Sequence, residues 1–109
     1  MNKVETVFVR AMMENLTHGY GSFECNHFDL KGFKFVFTDI EDDKVYKIGM
    51  ADFEKAMPLV KNQWPKGCSP IPAELWLSEE AMDDYVTQFD ALDHDCFLQL
   101  VIFGEVIYG

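Results

Sequence analysis

Two short segments of this chain carry residue types that bind metals: Cys25-Asn26-His27 and His94-Asp95-Cys96. On a strand, residues i and i+2 point to the same side, so Cys25 and His27 are expected to project together. Two thiolates and two imidazoles would make a Cys₂His₂ zinc set if the segments were neighbours. The spacing argues against it, because structural zinc sites commonly separate paired cysteines by two to four residues. Cysteine is also readily buried as a small hydrophobe. Cys25, His27, His94 and Cys96 are therefore the metal candidates, ordinary packing is their expected role, and no cofactor is expected.

Oxygen ligands give less. Asp39, Glu41, Asp42 and Asp43 match a calcium loop only in their number of acids, without the glycine and distal glutamate of an EF-hand. A polar hairpin turn explains them better. No G-x-S-x-G, phosphate-cradling glycine loop, H-E-x-x-H or C-x-x-C occurs, and no catalytic residue is assigned. The expectation is a protein that is not an enzyme.

The acids carry the main signal. Residues 1–66 hold all nine Lys and Arg against ten Asp and Glu, whereas residues 67–109 hold nine acids and no base. Nearly all of the net charge of −10 therefore lies in the last two-fifths of the chain. Such a surface repels nucleic acid and anionic membranes and attracts a basic protein. At 100° per residue, Glu79, Glu80, Asp83 and Asp84 share one side of a helix expected over 78–90, with Asp90, Asp93 and Asp95 close by. Acids in the first turn favour the positive end of the helix dipole. The pairs 79/83 and 80/84 are instead like charges at i, i+4, which cost ~0.2–0.5 kcal/mol each in an isolated helix. A solvated face explains the first turn; the absence of any nearby base is unusual for a surface, where signs are ordinarily mixed.

The functional expectation is a binding protein that docks a basic partner through Glu79, Glu80, Asp83, Asp84, Asp90, Asp93 and Asp95. One form of it is an inhibitor that imitates the phosphate density of nucleic acid. In size and charge the chain resembles small acidic inhibitors of host nucleases carried by phages and plasmids, a likeness that transfers no residue. The alternative is an oligomeric module, such as a homodimer, that uses an apolar sheet face or the strand over 96–108.

The elements that must position these residues follow from periodicity. Val4, Val7, Phe8, Ala11, Met12 and Leu16 form one face of a helix that Gly19 stops. The period then changes to two, predicting strands at about 22–30, 33–40 and 44–49. Asp52 reads as the N-cap of a helix through Phe53, Ala56, Met57 and Val60, which Pro58 kinks or delays. Residues 64–72 hold three of the four prolines and read as irregular. After the helix capped by Ser78, the apolar run Phe97–Phe103 reads as a central strand, with Gly104 as a bulge. The fold class is α+β: one domain over 1–109, an antiparallel sheet of about four strands with helices on one face, in the order α-β-β-β-α-α-β. Phe28, Val36, Ile40, Tyr46 and Ile48 suggest that the second sheet face is partly apolar, to be covered by a partner or by Trp64, Trp76 and the proline-rich loop. Three cysteines, Cys25, Cys68 and Cys96, with no apolar leader, point to reduced thiols in the cytoplasm.

Overall fold

The computed structural model describes residues 1–108. Helix α1 (Lys3–Leu16) starts in a capping box: Glu5 N–H donates to Asn2 Oδ1 and Asn2 N–H to Glu5 Oε1, both at 2.8 Å. Its buried face, Phe8, Val9, Met12, Met13 and Leu16, follows the 3.6-residue period. Gly19 ends it at φ 71°, donating to Leu16 O; a Cβ there would lie 2.9 Å from Phe23 O.

Strands β1 (Phe23–Asp29), β2 (Lys34–Asp39) and β3 (Val45–Ile48) form an antiparallel sheet in the order β1-β2-β3. Phe23, Phe35, Phe37 and Ile48 are buried on one face. The other face carries Glu24, His27, Lys34, Val36, Thr38 and Lys47, all exposed or half-exposed. Val36 and the exposed Val45 lie among these polar residues, so the face is mixed; of the residues expected there, Tyr46 and Ile48 pair with buried Phe37 and Phe35 on the inner side instead. Phe28 pairs with Phe35 and stacks on it on the inner side of the sheet, where it remains 46% exposed. In the β2–β3 turn, Asp39 accepts from Glu41 N–H and Asp42 from Lys44 N–H. These carboxylates serve the turn.

Helix α2 (Met50–Asn62) buries Phe53, Ala56, Met57 and Val60. Its N-cap is Gly49, not Asp52: Asp52 lies three residues inside and accepts from Gly49 N–H at 2.8 Å. Pro58 sits within the helix, which continues past it to Asn62. A short 3₁₀ helix (Ala73–Leu77) leads to α3 (Glu79–Val86), capped by Ser78, whose Oγ accepts from Ala81 N–H.

The largest correction concerns residues 91–103, which form helix α4 (Ala91–Phe103) and not a strand. Asp90, expected at the end of the preceding helix, is the N-cap of this one. Asp90 Oδ1 accepts from Asp93 N–H and Asp93 Oδ2 from Asp90 N–H, a reciprocal box. Gly104 is the left-handed C-cap (φ 77°), not a bulge. An apolar run with no alternation cannot distinguish a buried strand from a buried helix, because both are covered on every side.

Helix α4 is the centre of the molecule. Phe97 meets Phe8 of α1 at 5.5 Å and Phe53 of α2 at 6.1 Å. Phe53 in turn meets Phe35 of the sheet, and Phe8 meets Trp76 beyond. One aromatic path thus joins the sheet to the 3₁₀ helix. The fold is α+β, with three strands among the described residues where four were expected, and the order α-β-β-β-α-α-α with the 3₁₀ turn before α3.

Candidate functional site

Glu79, Glu80, Asp83 and Asp84 are all exposed on α3, while Met82 and Val86 turn inward against α1. The sequence places them so, because the apolar residues of this short helix repeat every three or four positions and leave the acids outside. Two ion pairs occur among the described residues, the N-terminal amine with Glu54 and Lys61 with Glu5. Neither includes an acid of α3. Glu79, Glu80 and Asp83 instead border an open cleft of about 410 Å³ between α3 and α1, whose opposite wall is Val7, Arg10, Ala11 and Glu14. Arg10 is turned to the ring of Phe33, with its guanidinium carbon 5.3 Å from the centroid. Glu14 adds a fifth exposed carboxylate, which the reading of α3 alone missed. Leu77, just before the cap, is 85% exposed.

The other three acids of the expected set have different positions. Asp90 is exposed but engaged as the α4 cap. Asp93 is 1% exposed. Its carboxylate accepts from Ser69 N–H (2.7 Å), Ser69 Oγ–H (2.8 Å) and Asp90 N–H (3.0 Å). Burial opposes its charge, but these hydrogen bonds outweigh it and hold the carboxyl below its usual range. Asp95 is half-buried, accepting from Ser22 N–H and from Gln99 Nε2. Asp93 and Asp95 hold loops onto α4, and the buried Asp93 presents no docking surface.

The metal candidates do not assemble. A bulge at Asn26 shifts the register, so Cys25 stands opposite Phe37 and His27 opposite Val36. Phe37 is buried and Val36 faces outward, so the bulge separates two side chains that a regular strand would align. His94 is buried under Tyr20 (ring centroids 4.9 Å), and Cys96 lies beside Cys68. Among the described residues no three ligating side chains converge.

Comparisons with protein-family models, curated proteins and solved structures return no match. Function must therefore be argued from the residues of this chain.

His94 has one consequence for stability. Its Nδ1 is buried without a hydrogen-bond partner. Burial pushes its pKa below the usual value, with Asp93 and then Asp90 opposing. Above an unfolded pKa of about 6.5 both states are neutral and His94 adds no pH dependence. Below it the unfolded chain takes the proton first, so stability should fall by up to ~1.4 kcal/mol per pH unit until the folded pKa is passed. Urea midpoints at pH 7.5 and 5.5 should drop more for the native chain than for His94→Phe, which keeps the stack on Tyr20. Equal drops would remove His94 as the cause.

No described helix is long and apolar enough to cross a membrane.

Proposed function

We propose that this is a non-enzymatic cytoplasmic protein that binds a basic protein through the α3 face, with Glu79, Glu80, Asp83 and Asp84 as the contacting charges and Glu14 beside them. The observation that carries this reading is that the four acids are exposed, contiguous and without an ion-pair partner. A cationic side chain entering the cleft between α1 and α3 meets Glu79, Glu80 and Asp83 on one wall and Glu14 on the other, where Arg10 also lies with its guanidinium turned to the ring of Phe33. Exposed Leu77, two residues before Glu79, adds an apolar side chain next to the acids in sequence. Inhibition follows if the partner's basic surface is the one that grips nucleic acid, since the acids would occupy it. Three unpaired cysteines support a reducing compartment.

A basic partner is favoured over a second copy of the chain. The outer sheet face sets Glu24, His27, Lys34 and Lys47 beside Val36 and Val45, and residues 97–103 form a helix, so the sheet face is of mixed character and the C-terminal strand of the oligomeric alternative is replaced by a helix.

The test is comparative capture. The native chain and the variant Glu79→Gln, Glu80→Gln, Asp83→Asn, Asp84→Asn are immobilised side by side and exposed to a cell extract at low salt. The expected result is a basic protein retained by the native chain, depleted about tenfold or more on the variant and eluted by salt. Identical retention on both would exclude this face.

A further inference from the structure

Residues 65–72 are held to the N-terminal half of α4 through Ser69, to Trp64 through the Ser69 carbonyl, and to α3 through Pro70. Ser69 N–H and Oγ–H both reach Asp93, Trp64 Nε1–H donates to Ser69 O at 2.8 Å, and Tyr85 Oη–H donates to Pro70 O. Cys68 directly precedes Ser69, and Cys96 is three residues beyond Asp93 on the same side of α4. Side chains at i and i+3 lie about 5–6 Å apart at Cβ, so the Ser69–Asp93 contact brings Cys68 up to Cys96. Each thiol lies close enough to the other to influence its ionisation. They are 6% and 4% exposed, while Cys25, on β1, directs its thiol to His27 O. Cys68 also borders an open cleft with Trp64, Pro65, Lys66, Pro70 and Ile71, from which a small oxidant can enter when the loop opens.

We propose that Cys68 and Cys96 are a reversible dithiol–disulfide site, oxidised by a peroxide, whose closure fastens the 65–72 loop covalently to α4. The Cys68 sulfur attacks one peroxide oxygen, the O–O bond breaks, and a sulfenic acid and one water are formed. Cys96 sulfur then attacks the Cys68 sulfur and releases the second water. Two thiols lose two electrons and two protons in total, and one hydrogen peroxide is reduced to two waters. Burial holds both thiols above the ordinary thiol range. Reaction therefore waits on opening of the loop, and its rate should stop rising with peroxide once opening is limiting. A thiol reductant restores the open form.

The experiment treats the full chain, native and as Cys25→Ser, with hydrogen peroxide, followed by intact mass and a non-reducing peptide map. No Lys or Arg lies between the two cysteines, so trypsin leaves both in one peptide and a protease cutting at Glu and Asp is needed. The expected result is a mass loss of about 2 Da, a Cys68–Cys96 linked peptide in both proteins, and reversal by dithiothreitol. The melting temperature of the oxidised form should rise by about 5 °C or more. Cys96→Ala should abolish the link. Gains of about 16 or 32 Da on separate sulfurs, a Cys25 link as the main product, unreacted thiols after prolonged excess peroxide, or a lowered melting temperature would overturn the proposal.

Discussion

Phe97→Ala should destabilise the protein by about 3–5 kcal/mol, measured as the shift of a urea unfolding curve. Phe97 is fully buried and stands between Phe8 and Phe53, so its loss opens a cavity at the meeting point of α1, α2 and α4. Relaxation can fill little of it, because the neighbouring rings are held by further aromatic contacts with Trp76, Phe89 and Phe35. Domains of this size have total stabilities of about 5–15 kcal/mol, so the variant should be near its unfolding threshold at 37 °C. Phe97→Leu should recover part of the loss. A cost below about 1.5 kcal/mol for the alanine variant would contradict the central place of α4.

Asp93→Ala should cost about 3 kcal/mol and loosen the 65–72 loop. It leaves Ser69 N–H, the Ser69 hydroxyl and Asp90 N–H without their acceptor and removes half of the α4 capping box. Hydrogen exchange should show the amide of Ser69 losing protection. The pH dependence has a definite sign. The folded carboxyl is held below its unfolded value, so its contribution is full above about pH 4, the unfolded carboxylate range, and is lost as pH falls through the folded pKa. Neutralising Glu79, Glu80, Asp83 and Asp84 should by contrast change stability by less than about 1 kcal/mol, since all four are exposed and unpaired. If Asp93→Ala proved as mild as those changes, its assignment as a structural acid would fail.

What could be read from the sequence depended on whether a segment has one covered side or two. Helix α1 and strand β2 each bury one face, so their periods of 3.6 and 2 were legible and their bounds fell within a few residues. Helix α4 buries Cys96, Phe97, Leu98, Gln99 and Leu100 in succession, which erased its period and made a strand look reasonable. A signal was nonetheless available. Asp90 and Asp93 have the spacing of a capping box, and Gly104 stands where a C-cap belongs, thirteen helical residues later. Gln99 was a second clue, since a buried amide needs partners: its Oε1 accepts from Ile107 and Tyr108 N–H and anchors the tail, and Tyr108 Oη–H reaches Asp39.

The candidate site divided along similar lines. Glu79 to Asp84 were legible because helical spacing alone sets them outside. Asp93 and Asp95 looked the same in composition, but their partners Ser69 and Ser22 come from loops distant in sequence, and no local pattern shows that. The Cys25/His27 alignment failed on a single bulged residue, Asn26, whose side chain accepts from Thr38 Oγ1 across the strands. Glu14 joined the acidic cleft only through the packing of α1 on α3.

Docking through the α3 face is tested most directly by the salt dependence of the affinity for the protein recovered by comparative capture, measured with the native chain and the four-acid neutral variant. Charge-led binding predicts an affinity at 50 mM salt about tenfold or more above that at 300 mM, with the variant weak and nearly insensitive to salt. Equal affinities for the two proteins, unchanged across that range, would contradict it.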